Sequence, residues 1–313
     1  MENILSSIGI TLPLILMLLL GMLLRRLKMT TSEFIRVANK LNFNVFLPAS
    51  VFAGIYCAEY NLSECISLIE MVVITLIIMF VASVFLSMLM TKNKSHRATM
   101  ISGMFRSNYA YVGVPVVCAI VGVSSSLFAS LTLAVCSMVN NVLSPLGFSI
   151  NSGEKLSVKK ILKDVFGNVY LIVTIIAVVL MLLHCPKFPE PIHKTISSLG
   201  SVCTPLAVVV LGANLDLGAI GPKRRLLRWC NLFKLVIFPL IGTFIFVKMG
   251  LTGEKLAVMF ALLGCPTATL LFTISQEMGG DTDLATEIVA IGTCVSMITM
   301  TVGIYILKTL GLL

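Results

Sequence analysis

The sequence predicts an all-α polytopic membrane protein. Ten transmembrane helices are expected as two inverted repeats of five, with broken helices 4 and 9 whose breaks face each other. Three observations predict it. Of the 313 residues, 58% are hydrophobic and only 12% charged, and the mean hydropathy is +1.02. A soluble domain carries about 25% charged residues. The chain also divides into apolar runs long enough to cross hydrocarbon, and proline-bearing stretches of its first half recur in order in its second.

Ten runs are expected to be helices, because a helix satisfies its own backbone in lipid and needs about 20 residues to cross it. The first, 4–24, has no basic residue before it and Arg25, Arg26 and Lys28 after it. That order excludes a cleavable signal peptide and puts the N-terminus outside. Run 41–57 contains NVFLPASVFAGI, with Asn44 and Pro48. Run 67–90 is uninterrupted, and 98–121 contains RSNYAYVGVP. Run 127–150 holds Asn140, Asn141 and Pro145, and 166–183 is short. Run 196–217 contains SVCTPLAVVVLG, with Thr204, Pro205 and Asn214. Run 229–247 holds Lys234 and Pro239, 256–274 contains LLGCPTA, and 284–310 closes the series. Little chain remains for any soluble domain, so residues 1–313 read as one membrane domain.

The loops test this layout. Of 23 Lys and Arg, sixteen fall at 25–40, 92–97, 155–163 and 223–228, the loops expected in the cytoplasm. Five fall on the other side, and Arg106 and Lys234 lie within runs. This positive-inside bias places both termini outside the cytoplasmic membrane. The acidic loop 276–283 falls inside, where acidic residues carry little weight in the rule. The net charge of +9 then reports orientation and contact with anionic lipid, not nucleic-acid binding.

Pro48 aligns with Pro205, and Gly113–Val114–Pro115 with Gly264–Cys265–Pro266. Each half, about 1–150 and 164–313 around a linker at 151–163, holds an odd number of runs, so the second is inverted relative to the first. Matched, Gly/Pro-interrupted spans in inverted halves point to a secondary transporter and its binding site. Gly-x-Pro within a span reads as a short unwound segment, because proline lacks an N–H and restricts the residue before it. Two helices broken in opposite directions offer N-terminal ends that favour an anion. The expected substrate site is therefore Asn108, Tyr109, Gly113, Val114, Pro115, Gly264, Cys265, Pro266 and Thr267, with Asn140, Asn44 and Thr204 as further polar candidates. Arg106 is expected to snorkel to the interface or attract anions at a vestibule, and Lys234 to snorkel.

No carboxylate stands near the centre of any run; Glu70, Asp216, Glu277 and Glu287 fall near ends. Ion coupling is therefore expected from neutral oxygens, an end-of-span acid or the substrate's own proton. The nine cysteines form no CxxC pair, so no metal or cofactor is expected. Cys57 and Cys65 either pair across their outside loop or stay free. The histidines, His96, His184 and His193, read as loop residues, and no nucleophile–base pair is evident at depth, so an enzyme is not expected.

The stretches RSNYAYVGVP, TPLAVVVLGANL, KLVIFPLIG and LLGCPTATLLFTISQEMGGD resemble the auxin efflux carrier family in its bacterial branch, in order along essentially the whole chain. The resemblance implies five plus five spans with crossing broken helices 4 and 9, a fold like that of sodium/proton antiporters and bile-acid symporters, with spans 1, 2, 6 and 7 as a scaffold and 3–5 and 8–10 moving as an elevator. It implies small organic anions as substrates, such as malate or malonate, and crossover residues at Asn108, Gly113, Pro115, Gly264 and Pro266. The short 151–163 segment departs from the long regulatory loop of plant members. The expected partners are the anion and membrane lipid, with room for a homodimer. The alternative is a sodium-coupled symporter of bile-acid-type or amino-acid-like solutes.

Overall fold

The computed structural model describes residues 2–56, 58, 59, 61–122, 126–152, 167, 169–186, 188–215 and 224–313. Cys57, the linker at 153–163, Lys187, Asp216 and Lys223 lie outside the described residues. The chain forms α1 (Glu2–Arg26), α2 (Ser32–Leu41), α3 (Leu47–Tyr56), α4 (Leu62–Met90), α5 (Lys94–Phe105), α6 (Val114–Val121) and α7 (Leu127–Ser152). These are followed by α8 (Val169–Leu182), α9 (Glu190–Ala213), α10 (Arg224–Leu232), α11 (Phe238–Lys248), α12 (Gly253–Gly264), α13 (Leu270–Glu277) and α14 (Thr282–Thr309). Polar side chains start several of them. Thr31, Asn61, Asn93 and Asp281 each accept a hydrogen bond from a first-turn N–H, satisfying donors that a helix leaves open at its N-terminus. His96 and His193, read as loop residues, sit in the first turns of α5 and α9.

Among the described residues, six helices are long and apolar enough to cross a membrane: Ser7–Arg26, Leu62–Met90, Leu127–Asn151, Glu190–Ala213, Arg225–Lys248 and Thr282–Thr309. The other four apolar runs take different forms. Ser32–Tyr56 is helical throughout but changes pitch in the middle, α8 has 14 residues, and runs 4 and 9 are each two shorter helices. The helices are apolar on the outside. On α4, Ile74, Ile78, Val81, Phe85 and Leu89 form one stripe, each more than half exposed, whereas Ser83 and Ser87 are buried. Water would not tolerate that pattern, and hydrocarbon requires it.

Three five-residue π-helical turns interrupt the α-helical pitch: Asn42–Phe46, Tyr109–Gly113 and Phe233–Ile237. Each ends two residues before a proline, at Pro48, Pro115 and Pro239. Proline has no N–H to continue the ladder, and its ring crowds the carbonyl four residues back. Bonding to the fifth residue back widens the turn and relieves that crowding. Leu47 N–H bonds Asn42 O, Val114 N–H bonds Tyr109 O and Phe238 N–H bonds Phe233 O. This corrects the reading of Gly113–Val114–Pro115 as unwound: all three are helical, and the chain absorbs the proline by widening.

α9 packs along α1 and α3, and α8 lies against α3. Glycines set the closest approach. A Cβ on Gly21 would stand 2.0 Å from Val209 O, and one on Gly212 would stand 2.0 Å from Leu18 O. Their backbones therefore touch, the small-residue contact that joins helices in lipid. The second group contains α4, α5 and α7, with α12 against α6 and α11, and α14 against α13 and α5.

Candidate functional site at the helix crossover

The first half of run 4 ends at Phe105, and that of run 9 at Gly264. The extended residues that follow pair with each other. Ser107 and Thr267 form an antiparallel bridge, flanked by Asn108 N–H to Pro266 O at 2.8 Å and Ala268 N–H to Arg106 O at 3.2 Å. The arrangement is symmetric about Ser107 and Thr267, and their side chains continue the symmetry. Thr267 Oγ1 donates to Gly103 O at 2.6 Å, a carbonyl stranded where α5 stops. Ser107 Oγ donates to Leu262 O at 2.5 Å, the carbonyl left without a helical partner because Pro266 lacks an N–H. Each broken helix is thus capped by a hydroxyl from the other, so the carbonyls that the breaks strand at Gly103 and Leu262 are satisfied by protein.

The sequence-derived candidates fall into three sets around this core. Asn108, Cys265, Pro266 and Thr267 are at the bridge and buried. The backbone of Asn108 is fully used, but its buried Nδ2 has no partner among the described residues. Tyr109, Gly113, Val114 and Pro115 lie just beyond, in the wide turn and the start of α6. Gly113 serves packing: a Cβ there would stand 2.3 Å from Cδ2 of the Tyr109 ring. Gly264 has no such constraint, since its Cβ would meet Met300 at 3.7 Å. Asn140 lies beside the crossover on α7, where its carbonyl accepts from Arg106 at 3.3 Å and its amide contacts Cys136 Sγ at 3.2 Å.

Asn44 and Thr204 are not brought to the crossover. Asn44 is exposed on the outer side of its π turn and donates to Lys40 O at 2.7 Å. Thr204 is half-buried along α9. They were candidates as polar residues at membrane depth near a proline, but both segments are helical there and neither side chain reaches the crossover.

The two cations inside apolar runs behave differently from the sequence expectation. Arg106 is 5% exposed and donates to Ser144 Oγ at 2.8 Å as well as to Asn140 O. Lys234 is fully buried, and its Nζ donates to Ser107 Oγ at 2.5 Å. Neither snorkels. Rise per residue measures depth along a helix but not direction around it, and the π turn holding Lys234 lies against α5, α12 and α14.

Beside the crossover lies a cavity of about 410 Å³, a size suited to a small molecule. Asn39, Phe43, Leu211 and Asn214 form one wall, from the helix group of α1–α3 and α9. Tyr111, Thr269, Thr273, Thr286 and Val289 form the other. Among the described residues its polar lining is neutral, with no lysine, arginine or carboxylate. Tyr111 O–H donates to Asn39 Oδ1 at 2.8 Å, joining the two walls, and its ring lies 5.1 Å from that of Phe43. α13 begins at this cavity. Leu271 N–H bonds Ala268 O and Phe272 N–H bonds Thr269 O, whereas the N–H groups of Thr269 and Leu270 have no backbone acceptor among the described residues. No side chain caps that end, so it offers open donors and the positive end of the helix dipole.

None of the twelve sequence candidates lines this cavity. Sequence reading found the break but not the adjacent opening. The available signal was Thr269, three residues past Pro266, and Tyr111, on a different face from Tyr109. No curated protein matches the chain. A family model described as membrane transport protein matches residues 7–304. With apolar helices crossing at paired breaks beside a polar cavity, and nearly its whole length matched, the chain belongs to the membrane transport protein family, that of the auxin efflux carriers.

Proposed function

We propose that this integral membrane protein is a secondary transporter of small organic anions, mono- or dicarboxylates. It works in the cytoplasmic membrane with both termini outside, through ten crossings in two inverted repeats. The observation that carries the reading is the cavity at the crossover, with the uncapped N-terminus of α13 opening into it. A carboxylate bound there meets backbone N–H donors and hydroxyls, with no dedicated cation in the wall among the described residues. The symmetric hydroxyl caps of Ser107 and Thr267 support the inverted repeat. They favour a register that pairs Ser107 with Thr267 over one pairing Pro115 with Pro266.

An elevator movement is supported by where the cavity lies. Its two walls belong to different helix groups, and Tyr111 and Asn39 supply a hydrogen bond between them that can open. The group of α1–α3, α8 and α9 serves as scaffold, and the helices bearing the crossover carry the anion. Asn39 lies in the basic segment 25–40 that the charge bias assigns to the cytoplasm, which supports reading this cavity as the cytoplasmic opening.

The test is thermal stability of the purified protein with mono- and dicarboxylates, with and without sodium. A ligand that binds only the folded state raises the melting point. A carboxylate should raise it, and Thr273→Val, which removes a hydroxyl from the cavity wall, should weaken that shift and transport while leaving the ligand-free melt intact. Absence of a shift with every carboxylate tested would sink the anion reading.

A further inference from the structure

Lys234 is a buried amine that the binding site does not use. Its one hydrogen-bond partner among the described residues is Ser107 Oγ at 2.5 Å, and no carboxylate pairs with it. The titratable groups nearest to it are the thiols of Cys136 on α7, Cys230 on α10 and Cys265 at the break. Arg106 also lies near Cys136 and is held by Asn140 and Ser144. Charged groups elsewhere on the elements packed around Lys234 are engaged by other partners. On α12, Glu254 accepts from Ser126 and Lys255 pairs with Glu64. Lys248 of α11 lies over Phe244, and Lys308 of α14 has its own interaction. His96 of α5 pairs with Asp281, and Arg97 beside it bonds Thr91 O. Arg228 of α10 and Glu287 of α14 also have interactions of their own.

The hydrogen-bond arithmetic leaves Lys234 free to change charge. The single Ser107 hydroxyl proton goes to Leu262 O, so the amine is the donor in its contact with Ser107. An ammonium has three N–H donors and a neutral amine has two, and either supplies the one required. The crossover bonds therefore survive loss of the proton. The amine lies close to the cavity along the chain: Thr267, bridged to Ser107, is two residues from Thr269 in the cavity wall.

From this geometry we infer that Lys234 is a proton-coupling site, so that one proton crosses the membrane with each anion. The inference rests on the anion-transport reading above. An anion carried alone through a low-dielectric core is costly, and so is an unpaired ammonium; carried together they offset each other. The amine takes a proton from cavity water, forming an N–H bond, when the carboxylate binds. That bond breaks and the proton returns to water when the carboxylate leaves on the other side. The empty carrier returns with a neutral amine, and sodium has no part in the cycle.

The test uses the full chain in liposomes holding a trapped pH dye, with labelled malonate as probe and the membrane potential clamped at zero. One proton per anion makes each pH unit of gradient concentrate malonate about tenfold, since one unit corresponds to about 1.4 kcal/mol. The expected result is accumulation toward the alkaline side with matching proton movement and no response to sodium. Lys234→Gln, which keeps a donor for Ser107, should lose accumulation but retain malonate exchange at equal pH. Lys234→Arg, which keeps a permanent cation, should also lose accumulation and serves if the glutamine variant does not fold. Uptake indifferent to pH, accumulation driven by sodium, or an unchanged gradient response in both variants would overturn the inference while leaving anion transport standing. If malonate does not move, the substrate reading is at fault, and charge-displacement currents after a pH jump decide the proton site alone. A current in the wild type that is missing from the variants upholds it, and equal currents overturn it.

Discussion

Replacing Ser107 by alanine removes one hydroxyl but strands two buried groups. Leu262 O loses the donor that stands in for the absent N–H of Pro266, and Lys234 Nζ loses its one hydrogen-bond partner among the described residues. A buried neutral polar group left unpaired costs about 1–3 kcal/mol, and a charged one more. The sum is about 3–6 kcal/mol. Thr267→Val is the internal comparison: it strands only Gly103 O, so about 1–3 kcal/mol is expected. At roughly 2 °C per kcal/mol for a large chain, Ser107→Ala should melt roughly 6–12 °C below wild type in detergent. Thr267→Val should lie between the two. The double variant Ser107→Ala/Lys234→Met should recover part of the loss, because an apolar side chain of similar length needs no partner. A Ser107→Ala midpoint no lower than that of Thr267→Val, or a double variant no better than Ser107→Ala, would refute the shared-hydroxyl account.

Pro266→Ala restores an N–H that can bond Leu262 O, competing with Ser107 and extending α12; transport should fall with little loss of thermal stability, and unchanged kinetics would count against the crossover geometry. Gly113→Ala should lower the melting point by pushing on the Tyr109 ring, an overpacking cost of about 1–3 kcal/mol, whereas Gly264→Ala, which meets Met300 at 3.7 Å and Phe260 at 3.9 Å in ordinary contact, should melt like wild type. Gly212→Ala drives a methyl to 2.0 Å from Leu18 O and should destabilise the protein by a similar or larger amount through separation of α1 from α9, read as a lowered melting point; equal melting of this variant and wild type would show that the two backbones do not touch.

The apolar runs and the break at Pro266 were legible because each is a one-dimensional pattern. Length and hydropathy measure what lipid demands of a helix, and proline announces a missing donor wherever it falls. Asn108, Pro266 and Thr267 were found this way. Misplacing the break at Gly113–Val114–Pro115 shows the limit. A missing N–H can be accommodated by opening the helix or by widening it, and the choice depends on what lies opposite. At Pro115 the Tyr109 ring fills the space over Gly113 and the helix widens. At Pro266 the Ser107 hydroxyl meets the stranded carbonyl and the helix opens.

By itself, then, the sequence determined that this chain is a bundle of apolar helices interrupted at recurring prolines, because solvent preference and backbone donors are local properties of each residue. Tertiary structure alone decided that Ser107 and Thr267 cap each other's helices, that Lys234 and Arg106 turn inward, and that Asn39 and Tyr111 meet across a cavity. These are contacts between residues far apart in the chain. The direction of a side chain around its helix, and the group it then meets, exist only once the helices have packed.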